Sequence, residues 1–188
     1  VHVGDVDLIQ ALVQAHKDDL DWENALKNTI IAFLPKGKRI EILTKILTNT
    51  YATDLTKAFK TGKELKVIML SVLPKEIPIF IPHIGDLRQG FVDALHPVQV
   101  DAYIRLALQR DFEGMEMIRL KNKSDSEKKQ ILIKMLGARY VIAHWNQLDE
   151  AGKQKYLSGK LLTEAQTGGK AGLKAYFNGM LLMDEIKE

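Results

Sequence analysis

Residues 124–147, SDSEKKQILIKMLGARYVIAHWNQ, form the longest periodic segment of the chain and decide its fold class. Ser124 and Glu127 have the spacing of a capping box, in which each residue bonds a backbone N–H at the start of a helix. The apolar residues that follow occupy so much of the helical circumference that we expect other helices to pack around this segment. They are Ile131, Leu132, Ile133, Met135, Leu136, Tyr140, Val141, Ile142 and Trp145. Gly137 costs about 1 kcal/mol relative to Ala inside a helix, which predicts a close helix crossing or a kink there.

Helical periodicity also dominates the rest of the chain. On the N-terminal side it predicts helices over 6–15 and 22–34 and a third helix after Arg39. Thr61 and Glu64 form a second capping box, whose helix is expected to turn Val67, Leu70 and Leu73 toward the core.

Further start and stop signals divide the remaining sequence. Asp86 with Gln89 resembles a capping box, and His96-Pro97 ends that helix and begins the next. Asp149 begins another helix that runs through Tyr156 to Ala165, and the glycines of 167–169 end it. A final helix covers 173–182.

No β-hairpin signal and no alternation of strands with helices is present in the sequence. We therefore predict a single all-α domain over 1–188, an irregular bundle of about eight or nine helices around a central helix near 125–147. The polar stretch KNKSDSEKK at 121–129 gives the alternative of two parts, 1–121 and 122–188.

The stretch LPKEIPIFIPHIG, residues 73–85, holds three of the five prolines. Proline removes a backbone donor and clashes with the preceding turn, so we expect an extended, proline-broken segment at 74–85. Two interpretations stay open. Its apolar side chains either plug one end of the bundle or stand exposed to contact a partner or a membrane; they are Ile77, Ile79, Phe80 and Ile81.

Composition narrows the classes of function. With 46% apolar and 27% charged residues, the chain has the composition of a domain that folds by core burial. The absence of cysteine excludes thiolate metal sites and cysteine nucleophiles, and is typical of a cytoplasmic protein. The apolar runs are far shorter than the ~20 residues that span a bilayer. Because the sequence begins with Val, we expect a segment of a longer protein.

Reactive side chains do not converge in any known catalytic pattern. The five histidines lack metal-ligand spacing, so we predict no metal, no cofactor and no catalytic residue. His144 is expected to lie in the core or at its boundary. If the chain is an enzyme, the group to examine first is His83, Asp86 and His96, since both histidines flank the helix that follows Asp86.

One basic cluster lies where a helix begins. Lys36, Lys38 and Arg39 place three cations at the positive end of a helix dipole, and a bound anion or phosphate would relieve this conflict. The alternative is that solvent screens the charges.

The leading functional hypothesis is a non-enzymatic helical module that binds a protein partner through a helical groove or the proline-broken segment. The first alternative is an anionic membrane or phosphoinositide binder that uses Lys36, Lys38, Arg39 and the segment Ile77–Ile81. The second alternative is a helical enzyme around His83, Asp86 and His96. Nucleic acid ranks last as a partner, because the net charge is only +3.

Overall fold

The structure is a computed structural model that describes residues 59, 61–70, 77–109 and 114–179. In these ranges 84% of the residues are helical and no strand is present, which confirms the all-α prediction. The α-helices of the described residues are α1 Gly62–Met69, α2 Ile77–Phe80, α3 Arg88–Asp93, α4 Pro97–Leu108, α5 Met115–Lys121, α6 Asp125–Ala143, α7 Glu150–Tyr156 and α8 Gly159–Gly179. Short 3-10 helices lie between them: η1 Ile81–His83, η2 Gly85–Leu87 and η3 Trp145–Gln147. The helices predicted at 6–15, at 22–34 and after Arg39 lie outside the described residues.

Helix α6 is the central element, as predicted. It packs against α3, α4, α7, α8, η1 and η2. Its inward residues are buried all along the helix: Ile131, Leu132, Met135, Leu136, Gly137, Ala138 and Val141. Because fully burying one large apolar side chain contributes about 1.5–3 kcal/mol, this helix is the main source of packing energy in the described part of the chain.

Local capping signals are confirmed at several helix starts. The Glu127 N–H donates to Ser124 Oγ at 3.2 Å, and the Ser124 N–H donates to Glu127 Oε2 at 2.7 Å. The Glu64 N–H donates to Thr61 Oγ1 at 3.2 Å, and the Gly152 N–H donates to Asp149 Oδ1 at 2.7 Å. Each bond satisfies a backbone donor that the helix itself leaves unpaired.

The prediction of an extended segment at 74–85 is wrong for its described part, which is helical. Residues 77–83 form α2 followed directly by η1. Pro78 is the second residue of α2 and Pro82 the second residue of η1, so each proline sits in a first turn, where its missing N–H has no helical partner to lose. The prolines prevent one continuous helix and permit two short ones.

Most of this segment faces the core. Ile77, Phe80 and Ile81 are buried, whereas Ile79 is 37% exposed. The structure therefore supports the interpretation in which these residues plug the bundle. The exposure that a partner or membrane contact requires is present only at Ile79 among the four predicted contact residues.

The helix boundaries after residue 149 differ from the predicted ones. The helix that begins at Glu150 ends at Tyr156, and Gly159, with a φ of +55°, begins α8. The predicted stop at 167–169 is a kink inside α8, where Gly169 has φ 64° and ψ −159°. Few residues other than glycine adopt such a positive φ without strain. The final predicted helix is the second half of α8 up to Gly179.

No helix among the described residues combines the length and the apolar character that a crossing of the bilayer requires.

Phe80→Asp is expected to unfold the protein, because Phe80 is only 3% exposed and the substitution removes a buried ring and buries a charge. The expected loss of unfolding free energy exceeds about 4 kcal/mol. The control in the same turn, Ile79→Asp, should cost less, about 1–2 kcal/mol, because Ile79 is 37% exposed. Urea unfolding followed by circular dichroism measures both. Equal effects of the two substitutions would contradict the burial pattern.

Candidate functional site

Two histidines meet in the interior of the described structure. His83 ends η1, and His144 follows the last residue of α6. The distance between His83 Nδ1 and His144 Nε2 is 3.0 Å, and His144 is 4% exposed. One ring nitrogen must donate and the other accept at this distance, so the contact fits a pair that is not doubly protonated.

His83 is held in its uncharged form. Burial, followed by the nearby His144, lowers the pKa of His83 to about 4. At neutral pH His83 is therefore neutral and is a weaker proton acceptor than an ordinary imidazole.

Two tyrosines extend the contact toward the surface. The Tyr140 ring lies 4.4 Å from the His144 ring and 4.6 Å from the Tyr156 ring, measured between centroids. The Tyr156 hydroxyl donates to Asp86 Oδ1 at 2.9 Å. We call these five residues, His83, His144, Tyr140, Tyr156 and Asp86, the histidine–tyrosine cluster.

The outer end of the cluster carries an ion pair. Lys155 Nζ lies 2.8 Å from Asp86 Oδ1. Burial alone would raise the pKa of Asp86, but hydrogen bonds from Lys155 and Tyr156 and nearby positive charges outweigh it and lower that pKa. Burial and the bond to Asp86 raise the pKa of Tyr156. Tyr156 therefore remains a protonated donor over the physiological pH range.

Arg88 connects α7 to the residues beside the cluster. Its guanidinium lies 4.8 Å from the Tyr156 ring centroid and donates to the Gly85 carbonyl at 3.0 Å and to the Lys155 carbonyl at 3.1 Å. Gly137 makes room for the same turn, since a Cβ at that position would lie 2.3 Å from the Tyr156 carbonyl oxygen. The predicted close crossing at Gly137 is thus confirmed.

The histidine–tyrosine cluster holds several elements of the fold together. Two hydrogen bonds, His83 with His144 and Tyr156 with Asp86, and the ring contacts of Tyr140 connect η1, η2, α6 and α7, which favours one arrangement of these elements. Among the described residues, no group of three or more His, Asp or Glu side chains could hold a metal ion.

Sequence reasoning found part of this cluster. It grouped His83 with Asp86, and it placed His144 in the core or at its boundary, where the structure has it. The third member of the predicted group, His96, is exposed and stands apart, with its N–H bonded to the Gln99 side chain at the start of α4. The tyrosines were missed, although Tyr140 and His144 have the i, i+4 spacing of neighbours on one helix face.

A second candidate surface is a groove between α1 and α3. The helices approach closely at Gly62, where a Cβ would lie 2.0 Å from the Phe91 nitrogen. The groove has a volume of about 480 Å³, within the range of about 300–1,000 Å³ that is typical of ligand pockets. Its lining consists of Lys63, Lys66, Val67, Leu70, Gly90, Asp93 and Ala94.

The expectation that Val67 and Leu70 turn toward the core is wrong. Val67 is 63% exposed and Leu70 is 53% exposed, whereas Leu65 and Met69 are buried. Helix α1 packs chiefly on α3, and this contact selects the stripe that contains Leu65 and Met69. Leu73 lies outside the described residues.

The predicted anion site also lies outside the described residues. The anion site at Lys36, Lys38 and Arg39 therefore remains a prediction from the sequence.

Comparison with protein-family models, with curated proteins and with solved structures found no match to this chain.

Lowering the pH from 7 to 5 should destabilise the fold through His83. In the unfolded chain this imidazole binds a proton near its ordinary pKa of 6.5, but in the folded chain it does so only near 4. The unfolded state therefore binds more protons in this window, and stability is lost as the pH falls. After allowance for screening by solvent at this half-buried site, the expected loss is about 1 kcal/mol.

Urea unfolding at pH 7 and pH 5 measures this loss. His83→Gln should reduce the difference between the two pH values. An NMR titration that gives His83 a pKa at or above 6.5 would show that His83 is not held neutral.

Gly137→Ala should separate α6 from α7. The added methyl group must displace the backbone at Tyr156, and such overpacking costs about 1–3 kcal/mol. The control is Gly168→Ala, where the nearest atom to a new Cβ is 3.9 Å away. Denaturant unfolding of both variants should show a loss only for Gly137→Ala, and a neutral result at that position would rule out the close crossing.

Proposed function

We propose that this chain is a helical protein-interaction module and that the groove between α1 and α3 binds its partner. The observation that carries the proposal is the adjacent exposure of Val67 and Leu70 on one stripe of α1. Apolar residues that share a concave surface with a polar rim are typical of protein-binding sites.

The shape of the groove supports a rod-like occupant. The stripe of α1 that lines it, Lys63, Lys66, Val67 and Leu70, has the i, i+3, i+4, i+7 spacing of one helix face. The opposite wall comes from Gly90, Asp93 and Ala94 on α3 and just after it, with the spacing i, i+3, i+4. Two parallel rows with small residues on one side allow a third helix to pack between them.

The alternatives receive less support. Ile77, Phe80 and Ile81, which the membrane hypothesis requires at the surface, are buried. The enzyme hypothesis needs His83, Asp86 and His96 to converge, and His96 stands apart at the N-terminus of α4. A cytoplasmic setting remains part of the proposal, supported by the cysteine-free composition.

Selection of displayed helical peptides on the full chain tests the proposal. We expect enriched peptides whose affinity falls at least tenfold with the double substitution Val67→Gln and Leu70→Gln, since central apolar contacts are each worth more than about 1 kcal/mol. Ile118→Gln is the matched control, because Ile118 is 51% exposed and does not line the groove.

Two results would contradict the proposal. One is a selection that yields no peptide sensitive to the double substitution. The other is flotation with phosphatidylserine vesicles that depends on Val67 and Leu70 when no peptide is enriched, which would assign the groove to a membrane. Circular dichroism should show both variants folded, because the changed side chains are exposed.

A further inference from the structure

The rim of the groove is more basic than acidic. Lys63 and Lys66 of α1 line the groove, and Lys129 of α6 lies beside it at the end of α3. Lys66 Nζ donates to the Ala94 carbonyl, and Lys129 Nζ donates to the Asp93 carbonyl at 3.3 Å. Lys66 and Lys129 therefore lie at the negative end of the α3 dipole, which favours cations.

The single carboxylate among the lining residues, Asp93, offsets only part of the charge of these lysines. Its Oδ2 accepts a hydrogen bond from Gln89 Nε2 at 2.9 Å within α3. Lys63 is exposed, and no ion pair among the described residues involves it. A net positive charge thus remains beside the two exposed apolar residues.

We propose that the partner of this groove is an acidic amphipathic helix, an inference that rests on the proposed function. Its apolar face packs on Val67 and Leu70, and its Asp or Glu side chains pair with Lys63 and the neighbouring lysines. Charge complementarity of this kind speeds association and rejects basic partners.

The dimensions of the walls limit the length of the docked segment. At 1.5 Å per residue, the eight residues of α1 extend about 12 Å, which is little more than two helical turns. The partner therefore contributes anchors at i, i+3 or i+4, and i+7, and its acidic residues flank that row.

A concave site favours a helix over the other occupants with suitable chemistry. Gly90 and Ala94 line the groove together with Val67 and Leu70, so a docked helix can contact residues of both α1 and α3. A second copy of this chain would have to present an acidic apolar stripe of its own. Both occupants are outcomes of the test below.

The probes are two synthetic 16-residue helical peptides with the same leucine stripe. One carries Glu at every flanking position, and the other carries Lys there. Fluorescence anisotropy with the full chain measures their affinities. We expect the Glu peptide to bind at least tenfold more tightly and to lose affinity as the salt concentration rises from 50 to 300 mM, because exposed charges are screened.

The second part of the experiment reverses the charge of one lysine of the protein. Lys63→Glu should weaken the Glu peptide at least fivefold and should not harm α1, because an acidic residue suits the first turn of a helix. The matched control is Lys174→Glu on α8, an exposed position outside the groove, and it should change affinity by less than twofold.

The outcomes separate the two proposals. Equal binding of both peptides, lost with Val67→Gln and Leu70→Gln, overturns the acidic partner and leaves the interaction module standing. If neither probe binds but display selects peptides without acidic residues, the acidic partner is again overturned. If display also selects nothing, both proposals fail. Light scattering that shows a dimer dissolved by Leu70→Gln, or flotation with phosphatidylserine vesicles in place of peptide binding, assigns the groove to another occupant.

Discussion

Burial of residues 131–141 in α6 is the constraint on which the other elements depend. Leu132, Met135, Leu136 and Val141 are fully removed from solvent, and helices from both sides of the chain supply their neighbours. Gly137 adds a geometric condition, because only a residue without a side chain lets the Tyr156 carbonyl approach. That contact sets the position of α7 and so brings the Tyr156 hydroxyl to Asp86. Packing of one helix thereby determines where the polar groups of three other elements meet.

The same packing separates the two candidate sites. In the histidine–tyrosine cluster, which lies against α6, His83 bonds His144, Tyr156 bonds Asp86, and burial keeps His83 neutral. Such a network stabilises a particular arrangement of helices more readily than it offers groups to a substrate. Helix α1 lies farther from the centre and packs chiefly on α3, so one of its apolar stripes has no neighbour in the described structure. The exposure of Val67 and Leu70 therefore follows from how few helices α1 contacts among the described residues.

Sequence signals correctly predicted the helices and helix starts that depend on contacts between residues close in the chain. The long apolar run of α6, the Ser124 cap and the helix start at Pro97 all follow from contacts within a few residues. The sequence could not predict which stripe of α1 is buried, since Leu65 with Met69 and Val67 with Leu70 are both apolar and only α3 decides between them. Asp86 resembled a helix cap but bonds Tyr156, 70 residues away in the chain. Sequence reasoning grouped His83 with Asp86 and missed the tyrosines, because their contacts arise only when α6 and α7 pack.

Native-state hydrogen exchange followed by mass spectrometry tests most directly whether α6 organises the fold. The account predicts that amides of residues 131–141 exchange slowest and only through global unfolding, so that their protection equals the free energy of unfolding measured with urea. Amides of α1 should exchange through local opening at a lower free energy, because that helix packs mainly on α3 among the described residues. If the amides of α6 exchange as fast as those of α1, the central role of α6 is contradicted.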